Sequence, residues 1–136
     1  MGSSGDVSHA AGWAAHECVV TYDWQGEDGP IHLAFSRRSS GEVVAAAFTL
    51  DLRGPGLVGA RSAEKLNEEG WSAWIDRHFK GQMYMPCEPA LARKILEVAI
   101  ERGNPPPQAA INAMTLFGEI DSSAIDEEIL WGERKD

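Results

Sequence analysis

Residues Glu42–Leu52 read EVVAAAFTLDL, the longest apolar run in the chain. Alternate positions divide into two faces. Val44, Ala46, Phe48 and Leu50 share one, and Val43, Ala45, Ala47 and Thr49 share the other. A period of two with β-branched and aromatic residues marks a strand. Apolar side chains on both faces mark a strand covered to some degree on both sides, and we read it as the central one. The small residues of the second face predict that another element packs closely against it.

Turn chemistry brackets this run. On the N-terminal side Arg37–Gly41 (RRSSG) reads as a turn. Before it, Ile31–Ser36 alternates, with Ile31, Leu33 and Phe35 on one face. QGEDGP, residues 25–30, supplies the Gly, Asp and Pro of another turn. Glu17–Trp24 (ECVVTYDW) is a third strand, with Cys18, Val20 and Tyr22 on one face. Short connections favour an antiparallel meander. On the C-terminal side Arg53–Gly56 (RGPG) breaks the pattern. Leu57–Ala60 reads as a short fourth strand or a lead into helix.

From there the periodicity becomes helical. Ser62 is placed to cap a first helix, with Glu64 in its first turn, and Gly70 to end or kink it. Trp71, Trp74, Ile75, His78 and Phe79 recur at spacings of three and four, an amphipathic stripe closed by Gly81. Pro89 suits the first position of a helix carrying Ala92, Ile95, Leu96 and Ala99. Gly103 stands where a left-handed cap is expected. Asn104 is placed to cap a further helix bearing Ala110, Ile111, Met114 and Phe117, which Gly118 ends. Ser123 with Asp126 fits a capping pair for a last short helix or an extended segment near Trp131. The expected fold is α+β: an antiparallel sheet of three to four strands from the N-terminal half, with three to four helices from the C-terminal half packed on one face. Residues 1–15 read as a flexible leader, 16–118 as a single domain and 119–136 as an acidic segment.

The bulk properties fit one globular domain. The chain has 136 residues, 43% hydrophobic and 24% charged, with a net charge of −9. From Glu119 onward seven acids meet two bases, so −5 of that charge lies there. Such a segment is a solvated face or tail, or a docking element for a basic partner. The overall acidity argues against an isolated nucleic-acid binder, which needs concentrated Lys and Arg. No apolar run approaches the roughly 20 residues that span a bilayer, and MGSSGDVSHAAGWAAHE lacks the basic and apolar regions of a secretory signal. We expect a cytoplasmic protein without membrane association. Two distant cysteines, Cys18 and Cys87, are expected to remain reduced as small apolar core residues.

Three segments carry a resemblance. Glu17-Cys18 with Asp23-Trp24, then FTLDLRGPGLVGA at 48–60, then CEPALARKILEVAIERG at 87–103 followed by LFGEID at 116–121, resemble a family of small uncharacterised bacterial proteins. The similarity covers roughly residues 16–132. The chain departs from the family's pattern in the middle segment. There Arg53-Gly54-Pro55-Gly56 replaces a Cys and Leu, and Val58-Gly59-Ala60 stands where a Lys is common. The resemblance implies a bacterial, intracellular, mixed α and β domain and assigns no chemistry.

Candidate chemistry is sparse. His16 and Cys18, two apart on a strand, form a candidate metal pair, although the close Cys-x-x-Cys or His-x-x-x-His pairing of structural zinc sites is missing. Cys87 at a helix start, with His78 as a base, is a candidate nucleophile pair. Asp51 at a strand end has no second acid at a defined spacing. No phosphate-cradling glycine motif is present. Five tryptophans are many for this length, and Trp71, Trp74 and Trp131 are the interface candidates. Arg37 and Arg38 at a hairpin tip, with Arg53, are the candidate nucleic-acid contacts. The leading expectation is a non-enzymatic interaction or accessory module of a bacterial assembly that binds a protein partner or itself and needs no cofactor. The alternatives are an accessory subunit of a nucleoprotein complex, as in a mobile-element or defence system, and a small thiol enzyme using Cys87.

Overall fold

The computed structural model describes residues 7–26, 29–126 and 128–129. Five strands form one antiparallel sheet: β1 (Ala14–Thr21), β2 (Ile31–Ser39), β3 (Glu42–Asp51), β4 (Gly56–Leu66) and β5 (Tyr84–Pro86), in the order β4-β3-β2-β1-β5. Among the described residues three α-helices accompany it: α1 (Glu68–Phe79), α2 (Pro89–Arg102) and α3 (Gln108–Met114). The α+β class and the antiparallel sheet are as expected. The arrangement differs in several ways.

First, the helices cover both faces. Val44, Ala46, Phe48 and Leu50 of β3 pack with Phe35 against α2, α3 and Phe117. Val43, Ala45 and Ala47 pack with Ala34 against Trp71, Ile75 and Phe79 of α1. A strand apolar at every position buries its surface only if each face has a cover. The alanines leave room for the bulk of α1. Second, β3 is an interior strand, but the middle place belongs to β2. The reason is β5, three residues from the C-terminal half, which joins the outer edge of β1.

Third, β4 runs eleven residues, through Ser62, where a helix cap was expected. Its ladder with β3 extends to the Val43–Leu66 pair, across two irregularities in register. The cap of α1 is instead Asn67, whose side chain accepts from Gly70 N–H at 2.7 Å. Gly70 thus lies inside the first turn of one continuous helix. Lys80, with a left-handed backbone (φ 53°), ends it.

Pro89 does open α2, but Gly103 has an extended backbone. Its lack of a side chain serves a close approach. A Cβ there would lie 2.5 Å from the Pro55 carbonyl oxygen, which accepts from Asn104 N–H at 2.9 Å. The RGPG break is therefore the surface on which the end of α2 rests. Pro107, not Asn104, precedes α3. Residues 122–125 form a turn closed by Ile125 N–H donating to the Ser122 carbonyl at 3.1 Å, and the described residues contain no helix there.

The termini of the described chain join the body. Val7 and Ala10 are buried in the α2-side core, and β1 begins at Ala14, three residues ahead of the expected strand. Residues 118–125 lie along α2. Arg93 donates to the carbonyls of Gly118 and Ile120, and Lys94 to that of Ile125. No described helix is long and apolar enough to cross a membrane.

Candidate functional site

The polar cluster of the molecule grows from a bulge. In β1, Ala15 pairs with Arg37 and Glu17 with Ser36, so His16 is an extra residue in the strand. A bulge re-aims side chains locally. Here His16 and Glu17 both reach the α1 side of the sheet. His16 Nδ1 lies 2.9 Å from Ser36 Oγ and Nε2 lies 2.9 Å from Glu68 Oε2. Trp71 Nε1–H donates to Glu17 Oε1 at 3.0 Å. Arg38 donates to Glu68 Oε2 at 3.2 Å. The cap at Asn67 fixes where Glu68 stands, since it is the first residue of α1.

This arrangement settles the expected pairing of His16 with Cys18. The bulge separates them: Cys18 points into the α2-side core while His16 faces α1. The ligand atoms that do gather are those of His16, Glu17 and Glu68, all within 4.8 Å of one another. One imidazole nitrogen and two carboxylates suit a divalent cation. Ser36 on Nδ1 and Trp71 on Glu17 would then hold two of the ligands in place. Ser36, His16 and Glu68 also line up as hydroxyl, imidazole and carboxylate. However, Ser36 is fully buried and its hydroxyl is engaged by the Glu17 backbone. It has no path to a substrate.

Beside the cluster lies a cavity of about 130 Å³, lined by Glu17, Val19, Glu68, Trp71, Ser72, Ile75 and Tyr84. Its chemistry is two carboxylates and two aromatic side chains. Tyr84 is fixed against the Phe79 ring and donates from its hydroxyl to Asp76 at 3.1 Å.

A second polar group on the same face is structural. His78 Nε2 faces the Phe48 carbonyl at 3.3 Å, and the His32 ring stands 4.8 Å away. Burial lowers the His78 pKa to about 4; the bond to Phe48 opposes the shift, and His32, Arg61 and Lys80 add to it. Burial, with Lys80 and Arg61, also lowers that of His32. His78 is thus a neutral ring at neutral pH.

The remaining candidates are dispersed. Cys87 precedes α2 on the α2 side of the sheet, across from His78, so the expected thiol and base are not brought together. Cys87 instead meets Cys18: its N–H donates to the Cys18 carbonyl at 2.9 Å. Arg37 lies within β2 rather than at the hairpin tip. It is buried, and its guanidinium donates to the carbonyls of Trp13, Leu116 and Phe117. It ties the N-terminal turn to the end of the helical region. Arg38 is exposed beside Glu68, and Arg53 follows β3, its N–H bonded to Asp51 Oδ1. Trp71 is buried and Trp74 half-buried, the two rings 6.2 Å apart. Trp131 lies outside the described residues. Sequence reasoning missed Glu17, Ser36, Glu68 and Tyr84. Only Asn67-Glu68-Glu69, an Asn followed by acids, carried a readable sign of a helix start.

The chain matches no protein-family model, no curated protein and no solved structure.

Proposed function

We propose that this protein is a non-enzymatic interaction module, an accessory subunit of a bacterial assembly whose α1–β1–β5 pocket receives a basic side chain of a partner protein. One observation carries the reading: Glu17 and Glu68 share a single small cavity with Trp71 and Tyr84. Carboxylates give a cationic head charge-assisted hydrogen bonds. Aromatic walls cover an alkyl stem and attract the cation. Arg38 already makes such a contact with Glu68 from within the chain. The net charge of −9 steers basic partners toward the surface.

The two alternatives have less support. A nucleoprotein role loses Arg37 to the carbonyls it binds. A thiol enzyme loses its expected base, because His78 lies across the sheet from Cys87. A divalent cation at His16, Glu17 and Glu68 is the competing occupant of the same pocket, and the test separates the two. An oligo-arginine peptide is titrated calorimetrically into the intact chain with and without chelator. The expected result is chelator-independent binding, weakened at least about tenfold, or 1.4 kcal/mol, in Glu17→Gln/Glu68→Gln. A variant with the same charge change elsewhere, Glu101→Gln/Glu119→Gln, should bind nearly as wild type. Equal loss in both variants would reduce the interaction to non-specific charge and end the proposal. Binding that requires added Mn²⁺ or Zn²⁺ would hand the pocket to a metal.

A further inference from the structure

We propose that Cys18 and Cys87 are a redox modification site: the pair closes to a disulfide that clasps β5 and the start of α2 to the sheet edge. The two residues are 69 positions apart, yet the ladder sets them opposite each other. Val19 pairs with Pro86, Val20 with Met85 and Thr21 with Tyr84, and the same register carried one step past the end of β5 sets Cys18 opposite Cys87. The Cys87 N–H to Cys18 carbonyl bond at 2.9 Å continues that ladder. Opposed residues of a hydrogen-bonded antiparallel pair have Cα atoms about 5.5 Å apart. A disulfide spans about 4.4–6.8 Å between Cα atoms.

Directly opposed side chains point to the same face. Both thiols accordingly pack on the α2-side core, and the Cys87 thiol donates to the Glu88 carbonyl at 3.5 Å. Both cysteines are free thiols in this structure. Their burial differs: Cys18 is buried and Cys87 half-buried. That difference assigns the order of events. Cys87 is the sulfur an oxidant meets, and Cys18 is the resolving thiol held against it. The partner thiol and burial also push the Cys18 pKa well up, which keeps it protonated until it reacts.

The oxidant is a low-molecular-weight disulfide. The Cys87 thiolate attacks one sulfur of that disulfide, forming a mixed disulfide and expelling one small thiolate. Cys18 then gives up its proton and attacks the Cys87 sulfur, expelling the second. Two protein thiols and one small disulfide become one protein disulfide and two small thiols, so the electrons balance by exchange. The inference is independent of the basic-side-chain pocket, which lies on the other face of the sheet.

The test is incubation of the native chain with oxidised glutathione, followed by intact-mass and peptide-mass analysis without reduction. The expected product has lost two hydrogens, carries no glutathione and yields one linked peptide joining Cys18 to Cys87. It should also melt at a higher temperature than the reduced chain. Cys18→Ala, a small substitution in the core, should stop at the intermediate and retain one glutathione on Cys87. Cys87→Ser should take up no glutathione within the time that converts the wild type. A wild-type chain that keeps glutathione on Cys87, or keeps both thiols reduced while the unfolded chain oxidises, would overturn the proposal.

Discussion

The two faces of the sheet are built from one set of strands but to different ends. The α2 face is filled by large side chains. Phe35 stacks on Phe117 with ring centroids 4.8 Å apart, and Phe48 lies beside them. The α1 face is paved with Ala34, Ala45 and Ala47. It carries, beyond that floor, the imidazoles of His16, His32 and His78 and the carboxylates of Glu17 and Glu68. Large apolar contacts on one side supply stability. Small residues on the other bring a helix close enough for polar side chains of sheet and helix to meet. Bulky apolar packing and the polar cluster are thus assigned to opposite faces.

The largest expected effect tests the α2 face. Phe48→Ala removes a fully buried ring between Phe35, Phe117 and the helices. It should cost about 4 kcal/mol in urea unfolding. A cost below about 2 kcal/mol would show that this face collapses around the gap, and the contrast between the faces would lose its basis.

The α1 face should reveal itself through pH. His78 has its pKa lowered to about 4 in the folded chain, against about 6.5 when unfolded. Between those values the unfolded chain binds a proton that the folded chain does not. The stability from neutral His78 is therefore fully present above about pH 6.5 and is lost as pH falls toward 4. The expected loss is about 3 kcal/mol. His78→Gln, which keeps an N–H for the Phe48 carbonyl, should flatten that slope in unfolding curves collected across this range. Since His32 is shifted in the same direction, a residual slope should remain. An unchanged slope in the variant would mean that His78 takes up its proton at the same pH in the folded and the unfolded chain.

Packing tightness on the α1 face gives a smaller effect of opposite design. Ala47→Leu adds volume beneath α1 and should cost about 2 kcal/mol by overpacking. A stabilised variant would show spare room under the helix.

These differences also explain what the sequence disclosed. The two-sided apolar pattern of residues 42–52 announced cover on both faces, and the stripe from Trp71 to Phe79 belonged to the second cover. The error was to place every helix on one side. Pro89 and its following periodicity located α2. The β4–α1 boundary was hidden because Arg61–Leu66 has no clean alternation: its strand is held by the ladder with β3. β5 is three residues, too short for any period to show. The cysteine pair depends entirely on β5, so neither cysteine signalled the other. The polar site depends on one inserted residue, His16. Counting by twos put His16 with Cys18, whereas the bulge puts it with Glu17 and Glu68. Short pairings and single-residue insertions are decided by tertiary contacts, and these are the features that assemble both proposed sites.

The smallest expected effect joins stability to the site. Asn67 accepts from Gly70 N–H and fixes the first turn of α1. Asn67→Ala should cost about 1 kcal/mol, with Asn67→Asp restoring most of it. Glu68 is the first residue of that turn and holds both His16 and Arg38. Fraying there should weaken oligo-arginine binding in Asn67→Ala and leave it intact in Asn67→Asp, which restores the cap. If both variants bind as wild type while Asn67→Ala is destabilised, the position of Glu68 is set by His16 and Arg38 rather than by the helix start. The site would then belong to the sheet, with α1 only as its cover.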